Sequence, residues 1–328
     1  MAVKSLAKPL VAHVGRGRGI TPRAFVEGYQ LAQRPGFFPS FLRGPDCTDG
    51  DGAGGERDAR PVWRALSSWS HRDERGIETL RGMKRRDTAD LVVPVELSRP
   101  GLGYNAPREE GATTTRGGWD RISLPFGLFL DAFISQSIPW SSSPSPSPSS
   151  SSAGSGSGSG SGQGDPGVVG YMAQYDLLSL SPSLSSDAPP LPHTRAGPRG
   201  DREQWRSNLW IGPGCTFTPI HRDPYHNLFV QIVGRKRIHV FPPSAHSSLY
   251  LFKEGPQQNT SVIHSERPLR TDGADDMHRL FPLVEKALGA THTAVVDVGP
   301  GDAVFIPQGW FHCVASLETS VSVNWWFR

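Results

Sequence analysis

From 205 to 327 the chain reads as eight short apolar runs separated by Gly/Pro turns, which predicts a mainly β domain: a double-stranded β-helix, or jelly roll, with flanking helices. The runs are 205–212, 216–222, 227–233, 236–241, 294–298, 303–307, 311–317 and 320–327. The remaining 244–293 is a long insert carrying a helix near Met277 to Leu288. A second observation is that the 37 Gly and 30 Pro are gathered in a few tracts while only 36% of residues are hydrophobic. That composition favours one large domain with long insertions over two packed ones.

Before the β-rich part, Thr21-Pro22 followed by Ala24 to Gln33 reads as a capped helix, with Thr at the cap and Pro in the first turn. Asp46 to Gly55 reads as a Gly/Asp loop, Val62 to Ser70 and Ile77 to Met83 as short helices, and Leu91 to Leu97 as a strand with an edge proline at Pro94. Phe126 to Ile134 is apolar at helical spacing and is expected to pack outside the barrel. Residues 141–164 are nearly pure Ser, Pro and Gly, an insertion that buries too little apolar surface to offset its ordering entropy. A second Pro-rich stretch, Ser181 to Arg202, is expected to be a mobile loop. The organisation is therefore an N-terminal helical region, 1–90, packing on a catalytic domain, 91–328, interrupted at 141–164.

Net charge is +3 and the pI about 8.8, with 34 Lys and Arg scattered among 31 acids. This makes no case for a nucleic-acid partner. Cys47, Cys215 and Cys313 are odd in number and lack paired spacing, so neither a disulfide framework nor a zinc cluster is expected, and a reducing compartment fits. No apolar run reaches the roughly 20 residues that span a bilayer. The N-terminus has Lys4, Lys8, Arg16, Arg18 and Arg23 and no acid before Glu27, which matches a mitochondrial presequence; Gly15 to Gly19 would interrupt its helix, so nucleus or cytoplasm is preferred. Asn259-Thr260-Ser261 fits a glycosylation sequon and reads as an ordinary polar loop.

The strongest chemical signal is His221-Arg222-Asp223 at the end of one β run and His312 near the start of another, 91 positions later. Residues i and i+2 of a strand share a face, so His221 and Asp223 can both point into a barrel. Two imidazoles and one carboxylate are the ligand set of a non-haem iron(II) oxygenase, which leaves metal positions open for cosubstrate and oxygen.

Around these residues the sequence resembles the JmjC family of cupin-like, iron(II)- and 2-oxoglutarate-dependent oxygenases, in its branch of small lysine demethylases and arginyl hydroxylases. The resemblance is carried by Asn208 to Pro213, Thr218 to Pro224, Asn227 to Gln231, Gly234-Arg235-Lys236, Asn259-Thr260-Ser261 and Val323 to Trp326. It covers 168–328 closely and 61–134 loosely, with departures in spacing at 98–118. The resemblance implies a JmjC barrel with iron(II) on His221, Asp223 and His312, and with 2-oxoglutarate and O2 as cosubstrates. It places Lys236, Thr218 and Tyr171 at the distal carboxylate of 2-oxoglutarate, and Asn227 and Asn324 near its other end. Without the triad, Lys236 would read as a solvated basic turn in Arg235-Lys236-Arg237. The resemblance also sets Glu96, Trp210, Trp325 and Trp119 around the substrate, a physically sensible pocket for a basic side chain. Trp325 and Trp326 are strand neighbours, so one of them packs instead. Trp310 and Phe311 read as core or rim, and His226, His239, His246, His264, His278 and His292 as structural or surface residues.

The leading expectation is a hydroxylase acting on arginine or a similar basic side chain of a protein or peptide. Methyl-lysine demethylation, hydroxylation of a transfer RNA nucleoside and a non-catalytic cupin scaffold are the alternatives. No membrane partner is expected, and the sequence leaves the oligomeric state open.

Overall fold

The computed structural model describes residues 8–9, 20–42, 63–107, 119–138, 167–198, 204–270 and 279–328. The expected loops at Asp46 to Gly55 and 141–164 and the basic stretch around Arg16 and Arg18 lie outside them, as do most of 98–118 and the start of the helix expected from Met277. The strands, in chain order, are β1 Lys8–Pro9, β2 Gly36–Phe38, β3 Val92–Ser98, β4 Asp120–Pro125, β5 Val169–Tyr175, β6 Gln204–Gly212, β7 Phe217–Arg222, β8 His226–Val233, β9 Lys236–Phe241, β10 Ala294–Val298, β11 Ala303–Ile306, β12 Phe311–Ser316 and β13 Ser320–Phe327. One sheet has the order β1-β10-β9-β12-β7 and the other β2-β11-β8-β13-β6-β5-β3-β4. From β6 onward the chain passes back and forth between the two sheets, the winding of a jelly roll.

Each wall is apolar for a different reason. Between the sheets, Phe229, Ile238, Val240, Val296, Val298, Val304, Ile306 and Trp310 form a compact inner core. The outer face of the small sheet buries Phe241, Phe311 and Ala315 under the insert, through Leu249, Ile263, Leu269 and the helix Val284–Leu288. The outer face of the large sheet is the most heavily covered. Leu228, Val230, Val323, Trp325 and Phe327 share one core with Phe25, Trp63, Trp69, Phe126 and Phe129, so residues before 91 and the barrel bury one another's apolar surface. At the β8–β9 turn Gly234 has φ +67, and a Cβ there would lie 2.1 Å from the Thr319 carbonyl oxygen, so only glycine fits.

The first helix begins as expected, with Thr21 Oγ1 accepting from the Ala24 N–H at 3.2 Å, but it is α-helical only over Pro22–Phe25 and widens into a π-turn at Val26–Gln30. The helix expected over Val62 to Ser70 shortens to Ala65–Ser68. Phe126 to Ile134 is helical throughout, α over Phe126–Phe129 and π beyond. Pro94 bonds in the ladder only toward β4, because β5 pairs with Glu96 to Ser98 alone.

Two expectations are corrected. Ile77 to Met83 is not a helix: Glu78 bridges to Arg72 in a narrow return, Leu80 has φ 51, and only Arg81–Met83 is 3-10. The Glu78 carboxylate accepts the His71 N–H at 2.8 Å and the Leu80 N–H at 3.0 Å, satisfying backbone donors that a helix would otherwise need. The described part of Ser181 to Arg202 is no mobile loop. Ser181 caps the helix Pro182–Asp187, and Leu184, Asp187, His193 and Thr194 are buried.

Asp187 is the anchor of that segment. Its carboxylate accepts the Trp69 indole N–H at 2.9 Å and the Ser68 hydroxyl at 3.2 Å, and pairs with the Arg85 guanidinium. Asp187→Ala strands these donors, and chemical denaturation is expected to show a loss of about 3 kcal/mol. No helix among the described residues is long and apolar enough to cross a membrane.

Candidate metal centre

His221 lies near the end of β7 and is paired directly with His312 on β12, so the two imidazoles stand side by side, ring centres 4.3 Å apart. Asp223 follows where the chain leaves β7. His221 Nε2 is 3.7 Å from Asp223 Oδ1, and His312 Nε2 is 3.6 Å from Asp223 Oδ2. The three ligand atoms all lie within 4.8 Å of one another. His221 Nδ1 lies 2.8 Å from the Pro219 carbonyl oxygen; donating its proton there leaves the Nε2 lone pair free. Burial pushes His312 down to about 4 with help from His221, against the opposing effects of Asp223 and the Trp310 carbonyl, so it is a neutral ligand at pH 7.

This donor set fits a divalent ion. Two first-row metal–nitrogen bonds of about 2.1 Å at a common ion hold their donors some 3–4 Å apart. Asp223 is buried, and its ion-pair partners among the described residues are His221 and His312, not a Lys or Arg. A buried carboxylate needs a counter-charge, and a cation held between it and the two imidazoles supplies it.

A chain of side-chain amides runs behind the carboxylate. Trp210 Nε1 donates to Asn324 Oδ1 at 2.7 Å, Asn324 Nδ2 to Asn227 Oδ1 at 3.0 Å, and Asn227 Nδ2 to Asp223 Oδ2 at 2.9 Å. Trp326 Nε1 reaches the same Oδ2 at 3.2 Å.

One cavity takes in the three ligands and Tyr171, Trp210, Thr218, Asn227, Lys236, Asn324 and Trp326. The five residues expected at the cosubstrate, Tyr171, Thr218, Asn227, Lys236 and Asn324, are thus brought together with the triad. Lys236 is 1% exposed; its Nζ donates to the Tyr171 hydroxyl at 3.3 Å and sits 5.4 Å from that ring's centre. Burial pushes it down to about 7. No carboxylate among the described residues pairs with it. Tyr171 is raised by its own burial, with Thr218 acting against the shift as a hydrogen-bond partner. A Cβ at Gly212 would meet the Tyr171 ring at 2.6 Å, so glycine lets that ring lie flat on β6.

The substrate residues divide. Trp210 lines the cavity, but its indole N–H is spent on Asn324. Glu96 is outside the lining, in register with Tyr171 on β5 and Arg121 on β4, which puts these side chains on one face of the sheet. Burial pushes Glu96 up to about 7, against the Trp119 indole N–H and Arg121, both of which favour the anion. The Trp119 N–H closes no well-formed hydrogen bond among the described residues. Trp325 is the correction. It is 1% exposed and packs edge-on against Trp63 at 5.5 Å on the outer face of the large sheet, away from the cavity. Its neighbour Trp326 takes the inner face, two residues from Asn324.

Trp326 is the cavity residue that reading the sequence missed. Trp326 was detectable, because a strand that turns Asn324 inward must turn Trp326 inward as well.

The cupin-like domain family matches residues 57–328. JmjC domain-containing protein F of Dictyostelium discoideum is 34% identical over 170 residues, 48% of this chain and 35% of that protein. Lysine-specific demethylase 8 of Danio rerio is 37% identical over 160 residues, 48% of this chain and 36% of that protein. Lysine-specific demethylase JMJ31 of Arabidopsis thaliana is 37% identical over 122 residues, 37% of this chain and 20% of that protein. The chain spans about a third or less of the length of these relatives. With the jelly roll, the inward His–Asp–His set and a match reaching from residue 57 to the last strand, the chain belongs to the cupin-like domain family.

Proposed function

We propose that the protein is an iron(II)- and 2-oxoglutarate-dependent oxygenase that hydroxylates a basic side chain, arginine or similar, of a protein or peptide. The observation that carries this is Lys236, a buried ammonium with no acidic partner among the described residues, in the same cavity as the three ligands. A dicarboxylate reaching from metal to ammonium neutralises both ends, which few other ligands do. When bound, iron with its cosubstrates supplies the oxidation: one oxygen atom of O2 enters a C–H bond, and the other enters succinate as 2-oxoglutarate loses CO2.

The chain's own groups do the rest. His221, Asp223 and His312 would hold the metal. Lys236, Tyr171 and Thr218 would hold the distal carboxylate, and the Trp210 and Trp326 indoles wall the cavity against water. Glu96 would draw in and orient the substrate cation. Purified, iron-loaded protein incubated with 2-oxoglutarate and basic peptides is expected to form succinate in step with a mass gain of one oxygen on the peptide. Absence of any 2-oxoglutarate turnover, with or without peptide, would sink the reading.

Two of the relatives are named lysine-specific demethylases, which favours a second outcome at the same site. Oxidation of an N-methyl group releases formaldehyde, so formaldehyde without a retained oxygen assigns demethylation.

Glu96 makes the recognition step sensitive to pH. With its carboxyl held near 7, the anion forms as pH rises through neutrality, so affinity for a guanidinium or ammonium is gained on going up and lost on going down. The peptide KM is expected to fall about tenfold from pH 6 to pH 8 and to be flat across that range in Glu96→Gln.

A further inference from the structure

The two oxygens of Asp223 differ. Oδ2 accepts two hydrogen bonds, from Asn227 Nδ2 at 2.9 Å and Trp326 Nε1 at 3.2 Å, while Oδ1 accepts none from a described residue. Both donors are fixed from behind. Asn227 is held by Asn324, and Trp326 is stacked on Tyr225, ring centres 6.3 Å apart at 21°, with the Arg328 guanidinium 4.6 Å from the far ring.

We propose that Trp326 is a positioning residue which, together with Asn227, occupies Asp223 Oδ2 and so commits the carboxylate to bind metal through Oδ1 alone. The inference rests on the metal-centre reading and adds a reason for the donors. An octahedral ion with three protein donors keeps three positions, two for a chelating cosubstrate and one for oxygen. A carboxylate free to swing and bind through both oxygens would take one of those three. Two N–H donors on one oxygen prevent that, since each would lose its partner as Oδ2 turned to the metal. The same indole lines the cavity, so substrate packed on it presses on the group that sets the ligand's denticity.

The test uses cobalt(II) as the probe ion in the whole chain, read by binding titration and by its visible absorption. Trp326→Phe keeps an aromatic ring against Tyr225 and removes the N–H together with part of the indole's bulk. It is expected to bind cobalt(II) about 10- to 100-fold more weakly and to show a changed visible spectrum, with 2-oxoglutarate no longer shifting that spectrum as in the wild type. Asn227→Ala removes the other donor and should move both readouts the same way. It also keeps the test open if Trp326→Phe fails to fold. Wild-type affinity and spectrum in both variants would overturn the assignment and leave the metal centre standing. Failure of the wild type itself to bind cobalt(II) would instead remove the metal centre, and this inference with it.

Discussion

Asp223→Ala is expected to leave no 2-oxoglutarate turnover above background and to weaken metal binding by more than the roughly 100-fold that loss of an outer partner costs. The substitution removes the only anion among the described residues that faces both imidazoles. It also strands the Asn227 and Trp326 donors that end on its Oδ2. The fold should survive, because Asp223 lies in the turn after β7 and contributes nothing to the apolar clusters. A melting temperature near that of the wild type in chelator, together with undiminished turnover, would remove Asp223 from the centre.

Lys236→Met is expected to act in two opposite directions. Losing one charge-assisted hydrogen bond of about 1.5–3 kcal/mol raises the KM for 2-oxoglutarate roughly 10- to 100-fold. Cosubstrate-free protein, however, becomes more stable, since a buried cation that no carboxylate among the described residues pairs with is replaced by an apolar side chain. The pH dependence follows from the same burial. Lys236 is near 7 in the folded protein against 10.5 ordinarily, so between those values the unfolded chain holds a proton that the folded one has released. Stability of the cosubstrate-free wild type therefore rises with pH across that window and the burial cost is fully felt below it. Lys236→Met should lack the rise, which urea unfolding at pH 6, 8 and 10 would reveal. Above pH 7, cosubstrate binding to the wild type should take up a proton, visible as a dependence of the calorimetric heat on buffer ionisation.

The strands from β6 to β13 could be read almost residue by residue because each is bounded by local turn chemistry, as at Gly234 and at Gly299-Pro300-Gly301. What could not be read depends on partners far along the chain. The segment after Ser181 looked like loop because Asp187 finds its partners at Ser68, Trp69 and Arg85. Ile77 to Leu80 looked helical because nothing local says that the Glu78 carboxylate will turn back onto His71. At the site, the triad was legible from its residue types and spacing, and Lys236, Thr218 and Asn227 from the family resemblance. Family position points to Trp325, whereas strand parity points to Trp326. An inward polar row of Ser320, Ser322 and Asn324 against an outward row of Val321, Val323 and Trp325 separates the two tryptophans. Glu96, set near the substrate by the resemblance, stands in register with Tyr171 because β3 pairs with β5.

The direct pairing of His221 with His312 closes a loop of 91 residues. In an unfolded chain these donors are scattered, and assembling them costs loop-closure entropy that no local structure repays. A metal ion that needs all three therefore binds the closed barrel and not the open chain. At a free concentration a hundred times its dissociation constant, the ion adds about 2.7 kcal/mol to folding stability, a sizeable part of the margin that keeps any domain folded. On the proposed metal centre, metal supply is thus expected to set the lifetime of the protein as well as its chemistry: chains starved of the ion would open more often and be exposed sooner to proteolysis.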